Sequence, residues 1–138
     1  MGHGIAHVML RAGHRVLLLD TTETFVDAGA KRIAKGLARD VEKERLTAQQ
    51  CQQALARLNT TTEAADLAEA EFIIEAVTER FEVKAAVFHS LEPHCRPETI
   101  LASNTSSISI TRLAAATGRP AKFLGLHFFN PVPVMKLV

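Results

Sequence analysis

Four short apolar runs, separated by stretches with helical periodicity, constrain most strongly how this chain folds. The runs cover residues 15–19, 72–76, 99–102 and 123–129, and their apolar residues follow one another almost without polar alternation. Strands that are covered on both faces in a parallel sheet have this pattern, whereas strands with one solvated face alternate. The runs therefore predict buried, mainly parallel strands.

Helical patterns lie between these runs. Thr47 opens a T-A-Q-Q sequence that has the form of a capping box, in which the first and fourth side chains bond each other's backbone N–H groups. Helices are predicted over residues 5–12, 25–45, 47–58, 63–69, 82–91 and 109–117, with a short strand at 60–62. Strands that alternate with helices predict an α/β fold with a doubly wound, mainly parallel sheet and helices on both faces.

Composition limits the class of protein. The 138 residues, 47% of them hydrophobic, are enough for one globular domain, and no linker divides them, so a single domain over residues 1–138 is expected. The net charge of +1, with acids and bases mixed along the chain, predicts no basic patch of the kind that nucleic-acid binders need. No apolar stretch approaches the roughly 18 residues of a membrane span. Nucleic acids and membranes are therefore not expected as partners.

The two cysteines, Cys51 and Cys95, stand far apart and show no paired spacing. This favours two free thiols in a reduced, cytoplasmic protein. His3, His7 and His14 lie at no metal-ligand spacing with a cysteine or an acid, so no metal site is predicted.

The first twenty residues resemble the later part of a dinucleotide-binding unit. Gly2 and Gly4 stand at the start of a predicted helix, and Asp20 ends the strand that follows it. In a Rossmann unit a strand and two further glycines come before this point, and an acidic residue about 20 positions on binds the adenosine ribose. On this interpretation Gly2 is the last glycine of the motif, the first strand is missing, and the acid favours NAD over NADP. The alternative is that both glycines are ordinary terminal residues and Asp20 caps a helix.

Polar side chains follow three of the predicted strands, in FIIEAVTERFEVK, ILASNTSSISIT and LHFFNPVPVMKLV. Because ligands bind at the carboxyl ends of parallel strands, these segments are predicted to face one crevice. His127 would lie on the last strand, near Ser106 on the neighbouring turn. The alternatives are that Ser107 and Ser109 only cap a helix and that His127 is a hydrogen-bonded core histidine.

At SNTSSISIT and LHFFNPVPVMKLV the sequence closely resembles the 3-hydroxyacyl-CoA dehydrogenases, and the resemblance extends from MGHGIA to the last residue. The segments LTAQQCQQALARL and SNTSSISIT also resemble the branch that oxidises 3-hydroxyadipyl-CoA in aromatic catabolism. The resemblance implies a Rossmann-like NAD-binding domain that oxidises (S)-3-hydroxyacyl-CoA to 3-oxoacyl-CoA in fatty-acid or aromatic-acid β-oxidation.

The resemblance also implies a role for individual residues. His127 would be the general base, and Ser106 would bond the substrate oxygen. Asn104 and Asn130 would line the nicotinamide and substrate region. The cofactor would further contact Gly2, Asp20, Glu79 and Lys84. Lys43 corresponds to a basic position near the CoA nucleotide, although a plain solvated lysine is an equally good interpretation.

The sequence departs from the family pattern at both ends. The first strand and its Gly-x-Gly do not occur, and the glutamate that orients the histidine in the family comes directly after KLV, where this sequence stops. The helical C-terminal domain that closes the cleft and forms the homodimer is also absent. We therefore expect an incomplete NAD-binding domain with marginal stability and no useful activity alone. A non-catalytic Rossmann-like remnant, or a segment of a multifunctional fusion, is the alternative.

Overall fold

The structure, a computed structural model, describes all residues from 1 to 138. Its α-helices are α1 (Gly2–Arg11), α2 (Glu23–Glu42), α3 (Ala48–Leu55), α4 (Phe81–Leu91) and α5 (Ile110–Ala115). Its strands are β1 (Val16–Leu19), β2 (Leu58–Thr61), β3 (Phe72–Glu75), β4 (Ile100–Ser103) and β5 (Phe123–Gly125). Short 3-10 helices cover Ala64–Glu69, Glu92–His94 and Pro120–Lys122. None of the helices combines the length and apolar character that crossing a membrane requires.

The chain forms two compact units. The first unit comprises Met1–Thr62 together with Asn130–Met135, and the second comprises Glu63–Phe129 together with Lys136–Val138. Each unit has its own sheet and its own buried apolar residues, so each is described separately below.

All strand pairs are parallel, which confirms the predicted α/β fold, but the strands form two sheets. β1 pairs with β2 in the first unit, and β3, β4 and β5 pair in that order in the second. Each sheet is hydrogen-bonded within its own unit.

Three helices pack together in the first unit. Its core consists of apolar side chains from α1, α2 and α3, all at most 5% exposed: Ala6, Leu10, Ile33, Leu37 and Ala54. Side chains cap two of the helices. Thr22 accepts the Phe25 N–H at the start of α2, and the predicted capping box of Thr47 and Gln50 opens α3 with both of its bonds. The local prediction for α3 is thus confirmed at its first turn.

Aromatic and aliphatic side chains fill the second unit. Phe88 of α4 is fully buried and meets Phe123 of β5 edge to face, with ring centroids 4.8 Å apart. Leu101 of β4 and Leu113 of α5 are also fully buried. Burial of each such side chain contributes about 1.5–3 kcal/mol, so this unit has a substantial core.

The prediction that residues 123–129 form one strand, with His127 on it, is wrong. β5 ends at Gly125 because its only partner, β4, ends at Ser103. The Leu126 N–H still reaches the Ser103 carbonyl at 2.9 Å, but the next inward N–H, that of Phe128, bonds the Asn104 side chain at 2.8 Å. His127 therefore lies on an extended segment just beyond the strand.

Candidate functional site

One carboxylate oxygen of Glu79 accepts hydrogen bonds from the turn that follows β4. Its Oε1 accepts the N–H groups of Ser106 at 2.9 Å and Ser107 at 3.1 Å, as well as the Thr105 hydroxyl at 2.5 Å. The hydroxyls of Ser106 and Ser107 approach the same oxygen at 3.3 and 3.1 Å. Ser107 does not cap α5, since that role falls to Ser109, which accepts the Arg112 N–H. The structure thus brings Glu79 and Ser106 into direct contact.

These bonds change the acidity of Glu79. Burial alone would raise the pKa of its carboxyl group, but hydrogen bonds from the Thr105 hydroxyl, the Ser106 and Ser107 N–H groups and Lys84 outweigh it and lower the pKa to about 2. A carboxylate that accepts several N–H and O–H donors is stabilised in its charged form. Glu79 is therefore a fixed negative charge beside the Ser106 turn.

A buried ion pair of Lys84 and Glu75 lies next to Glu79. The Lys84 ammonium group lies 2.8 Å from Glu75 Oε1 and 3.3 Å from Glu79 Oε2, and also reaches the Val77 carbonyl at 3.3 Å. The side chains of Lys84 and Glu75 are 1% and 0% exposed, and the Ser103 hydroxyl completes the network by bonding Glu75 Oε2 at 2.6 Å. All three donors of Lys84 are used inside the protein. The Lys84 ammonium group therefore contacts Glu79 from inside the protein and keeps no donor free for the solvent.

Sequence reasoning missed Glu75 and Ser103 as members of this network. The available signal was an acid at the end of the apolar run FIIE, with a lysine nine positions later on the following helix. Because a buried charge requires a partner, such an acid predicts a buried cation nearby.

His127 is positioned through its neighbours. The bonds from Leu126 N–H to Ser103 and from Phe128 N–H to Asn104 Oδ1 hold the backbone on both sides of it. Its ring packs edge to face against Phe129, with centroids 4.7 Å apart, and its buried Nδ1 has no hydrogen-bond partner. Asn104 is itself only 8% exposed, and its side-chain oxygen is used in the bond to the Phe128 N–H. His127 and Ser106 thus extend from two segments that are bonded together at residues 103 and 104.

Gly2 and Asp20 lie in the first unit. Gly2 is the first residue of α1, whose N-cap Met1 provides no side-chain hydrogen bond, so the first N–H groups of the helix lack an internal acceptor. Asp20 follows β1 directly and is exposed, and its Oδ1 accepts the Thr21 N–H at 2.7 Å. The remaining carboxylate oxygen, Oδ2, is open to a ligand.

A cleft of about 390 Å³ in the first unit contains both Lys43 and Asn130. We call it the basic cleft because five exposed basic residues line it: Arg32, Lys35, Arg39, Lys43 and Arg45. The spacing of the first four places them along one face of α2. The near-zero total charge conceals this cluster of cations, which the fold collects from one helix face.

The chain matches the family model described as "3-hydroxyacyl-CoA dehydrogenase, NAD binding domain" over residues 1–138. It is 48% identical over 138 residues to the 3-hydroxybutyryl-CoA dehydrogenase of Bradyrhizobium diazoefficiens and 47% identical to the 3-hydroxyadipyl-CoA dehydrogenase of Escherichia coli. The crystal structure of (S)-3-hydroxybutyryl-CoA dehydrogenase from Ralstonia eutropha superposes with a TM-score of 0.94 at 42% identity, covering 98% of this chain.

The matches cover the whole of this chain but only part of each relative. The chain corresponds to 47% of the Bradyrhizobium protein, 29% of the E. coli protein and 48% of the Ralstonia chain. It thus spans about half, or less, of the length of the relatives it matches.

Proposed function

This chain belongs to the family of 3-hydroxyacyl-CoA dehydrogenase NAD-binding domains, and from that premise we propose that it serves the oxidation of an (S)-3-hydroxyacyl-CoA to the 3-oxoacyl-CoA. The observation that carries the proposal is the placement of His127. A histidine is held on both sides by bonds to Ser103 and Asn104, which lead into the turn that presents the Ser106 hydroxyl. This pairs a base with a hydroxyl donor, as the oxidation of an alcohol requires.

The residues of the first unit fit NAD. The open helix start at Gly2 offers N–H groups of the kind that bind a pyrophosphate, and the free oxygen of Asp20 suits a ribose hydroxyl. A carboxylate at this position repels the 2′-phosphate of NADP. NAD, when bound, accepts the hydride that leaves C3 of the substrate.

The residues of the second unit would manage the proton. His127 accepts the proton of the substrate 3-hydroxyl, a task that an imidazole performs well near neutral pH and that contributes about 10² to 10⁴ in rate. The Ser106 hydroxyl donates a hydrogen bond to the same substrate oxygen and fixes its direction. Glu79 and Lys84 hold the turn on which Ser106 lies.

The basic cleft supports a CoA thioester as the substrate class. The nucleotide end of CoA carries several phosphate charges, and the five cations of the cleft provide the opposite charge over a length of α2. Asn130 lines the same cleft and adds an uncharged donor and acceptor. We assign Lys43 and its neighbours to this end of the substrate.

Cofactor binding tests the proposal. Titration of the chain with NADH and with NADPH is expected to show clear preference for NADH. Asp20→Ala is expected to weaken NADH binding at least about tenfold, the effect of losing a hydrogen bond to a charged group. The same change should also reduce the preference over NADPH.

Asp27→Ala is the matched control, because Asp27 is an exposed acid on α2. It is expected to leave both affinities unchanged. Equal binding of NADPH and NADH by the unaltered chain would contradict the proposal.

A further inference from the structure

The end of α2 carries a charged pair where an apolar contact usually lies. Glu44 has a φ of 56°, and its N–H bonds the Val41 carbonyl at 2.9 Å. The Arg45 N–H bonds the Asp40 carbonyl at 2.8 Å, so these bonds and the left-handed residue form a Schellman motif. In this motif an apolar contact frequently joins the residue after the left-handed position to the one five positions earlier. Here those two residues are Arg45 and Asp40, and Arg45 Nη1 lies 3.5 Å from Asp40 Oδ1.

Asp40 is itself fixed by α1. It is 3% exposed, and its second oxygen, Oδ2, lies 2.8 Å from His7 Nε2 and 3.4 Å from Arg11 Nη1. A buried carboxylate without such partners would be strongly unfavourable. The Asp40 carboxylate therefore has a defined position, in which Oδ1 faces Arg45.

Arg45 differs in this contact from the other cations of the basic cleft. Its side chain is 44% exposed and lines the cleft, and Asp40 alone pairs with its guanidinium group. A guanidinium group has five N–H donors, so one can face Asp40 while the others remain available to an oxyanion. The other four cations of the cleft have no acid partner, so a ligand must order their side chains itself.

We propose that Asp40 is a positioning residue of the basic cleft, which holds the Arg45 guanidinium group in place for a phosphate group of a CoA-like ligand. An arginine side chain loses rotamer freedom when a ligand immobilises it, and this loss reduces the affinity. Asp40 and the turn at Glu44 restrict Arg45 before binding, so less freedom is lost. This inference rests on the proposed assignment of the cleft to the phosphates of CoA.

Asp40 also has an opposing effect, because a carboxylate repels a phosphate and competes with it for Arg45. If competition dominated, Arg45 would contribute more to binding in the absence of Asp40. If positioning dominates, Arg45 contributes less in the absence of Asp40. The two effects have opposite signs, so a double-mutant cycle separates them.

Calorimetric titration with adenosine 3′,5′-bisphosphate, which carries CoA-like phosphates, measures this cycle. Arg45→Ala is expected to weaken binding about tenfold in the wild-type chain, the effect of losing a hydrogen bond to a charged group. In the Asp40→Asn background the same change should weaken binding only about twofold to threefold. Arg39→Ala is the matched control, because Arg39 is an exposed arginine of the same cleft without an acid partner. Its effect should be no smaller in D40N than in the wild-type chain.

A second pair of variants leaves Asp40 in place. Glu44→Gly and Glu44→Val remove the same charge, but only glycine accepts a φ of 56° without strain. We expect E44V to bind the bisphosphate severalfold more weakly than E44G, and the difference to vanish when Arg45→Ala is added. This comparison decides the proposal if D40N does not fold.

An effect of R45A that is equal or larger in D40N overturns the inference. An equal reduction of the R45A and R39A effects also overturns it, since that result indicates a general structural change. Equal affinities of E44G and E44V, or a difference that persists with R45A, do the same. In these cases the bisphosphate still binds, and the assignment of the cleft stands. Absence of any bisphosphate binding overturns both.

Discussion

Oε1 of Glu79 accepts donors from three consecutive residues, Thr105, Ser106 and Ser107. Two of these donors are the backbone N–H groups of Ser106 and Ser107, which follow the end of β4. The charge is in turn held by Lys84, which is buried between Glu79 and Glu75. Of these contacts only Lys84 with Glu75 is a fully buried pair, and removing one partner of such a pair costs about 3–5 kcal/mol, because the other charge is left uncompensated. The position of Ser106 therefore depends on Glu79 and, through it, on Lys84.

The stability of this turn should depend on pH. The pKa of Glu79 is about 2 in the folded protein, below its ordinary 4.5, so the folded state favours the charged carboxylate. Its contribution to stability is complete above pH 4.5 and is lost as the pH falls towards 2. The difference in melting temperature between wild type and Glu79→Gln should hence be constant near neutrality and shrink below pH 4.5.

Thermal unfolding followed by circular dichroism over this pH range measures the effect. Glu82→Gln is the control, since Glu82 is an exposed acid in the first turn of α4. A difference between wild type and E79Q that persists undiminished at the acid end would show that the charge of Glu79 does not hold the turn.

At the scale of elements, α1 and α2 approach closely where His7 lies on Gly36. Alanine at position 36 would favour the helix by about 1 kcal/mol, but its Cβ would stand 2.8 Å from the His7 ring. Overpacking of this kind typically costs about 1–3 kcal/mol. We expect Gly36→Ala to leave the chain no more stable, or to destabilise it, and to stabilise it by about 1 kcal/mol when His7 is also alanine.

Urea unfolding of the four proteins in this cycle gives the coupling between the two positions. The two substitutions should be strongly non-additive, as expected for residues in contact. Equal stabilisation by Gly36→Ala in both backgrounds would mean that the helices do not meet at this pair.

Sequence reasoning succeeded where the determinants are local. The Thr47 capping box spans four residues, and both of its bonds are present. The length of β5 was mispredicted because β5 ends at Gly125, where its partner β4 ends at Ser103, and His127 therefore lies beyond the strand. The contact between His7 and Asp40 joins residues 33 positions apart, so it is not visible in a local pattern. The cations of the basic cleft have helical spacing along α2, but the cleft forms only where they meet a distant segment, residues 130–134.

For the whole molecule, the two units divide the predicted functional residues. Gly2, Asp20, Lys43 and Asn130 belong to the first unit. The second contains the residues of the turn network and those proposed for proton transfer, namely Glu79, Lys84, Asn104, Ser106 and His127. The shared apolar pattern of the strands predicted the parallel α/β fold, but such a pattern cannot tell which strands are hydrogen-bonded neighbours.

We expect this chain alone to turn over acetoacetyl-CoA with NADH at no useful rate. The Nδ1 of His127 is buried and has no acceptor, so nothing selects the tautomer that leaves Nε2 free to take a proton. Loss of the orienting carboxylate in a comparable triad costs about 10⁴ in rate. The disappearance of NADH measures the rate, with His127→Gln as the reference for zero base catalysis. Activity clearly above that of H127Q would contradict this expectation.

The two contacts of Ser106 with Glu79 differ in length. The amide of Ser106 is held by Glu79 at 2.9 Å, whereas its hydroxyl contacts the same oxygen at the longer distance of 3.3 Å. Since Oε1 keeps its other donors when that hydroxyl rotates away, the side chain can change partners while the backbone stays in register. The Ser106 hydroxyl can therefore rotate towards an incoming ligand oxygen while the backbone of the loop keeps its position.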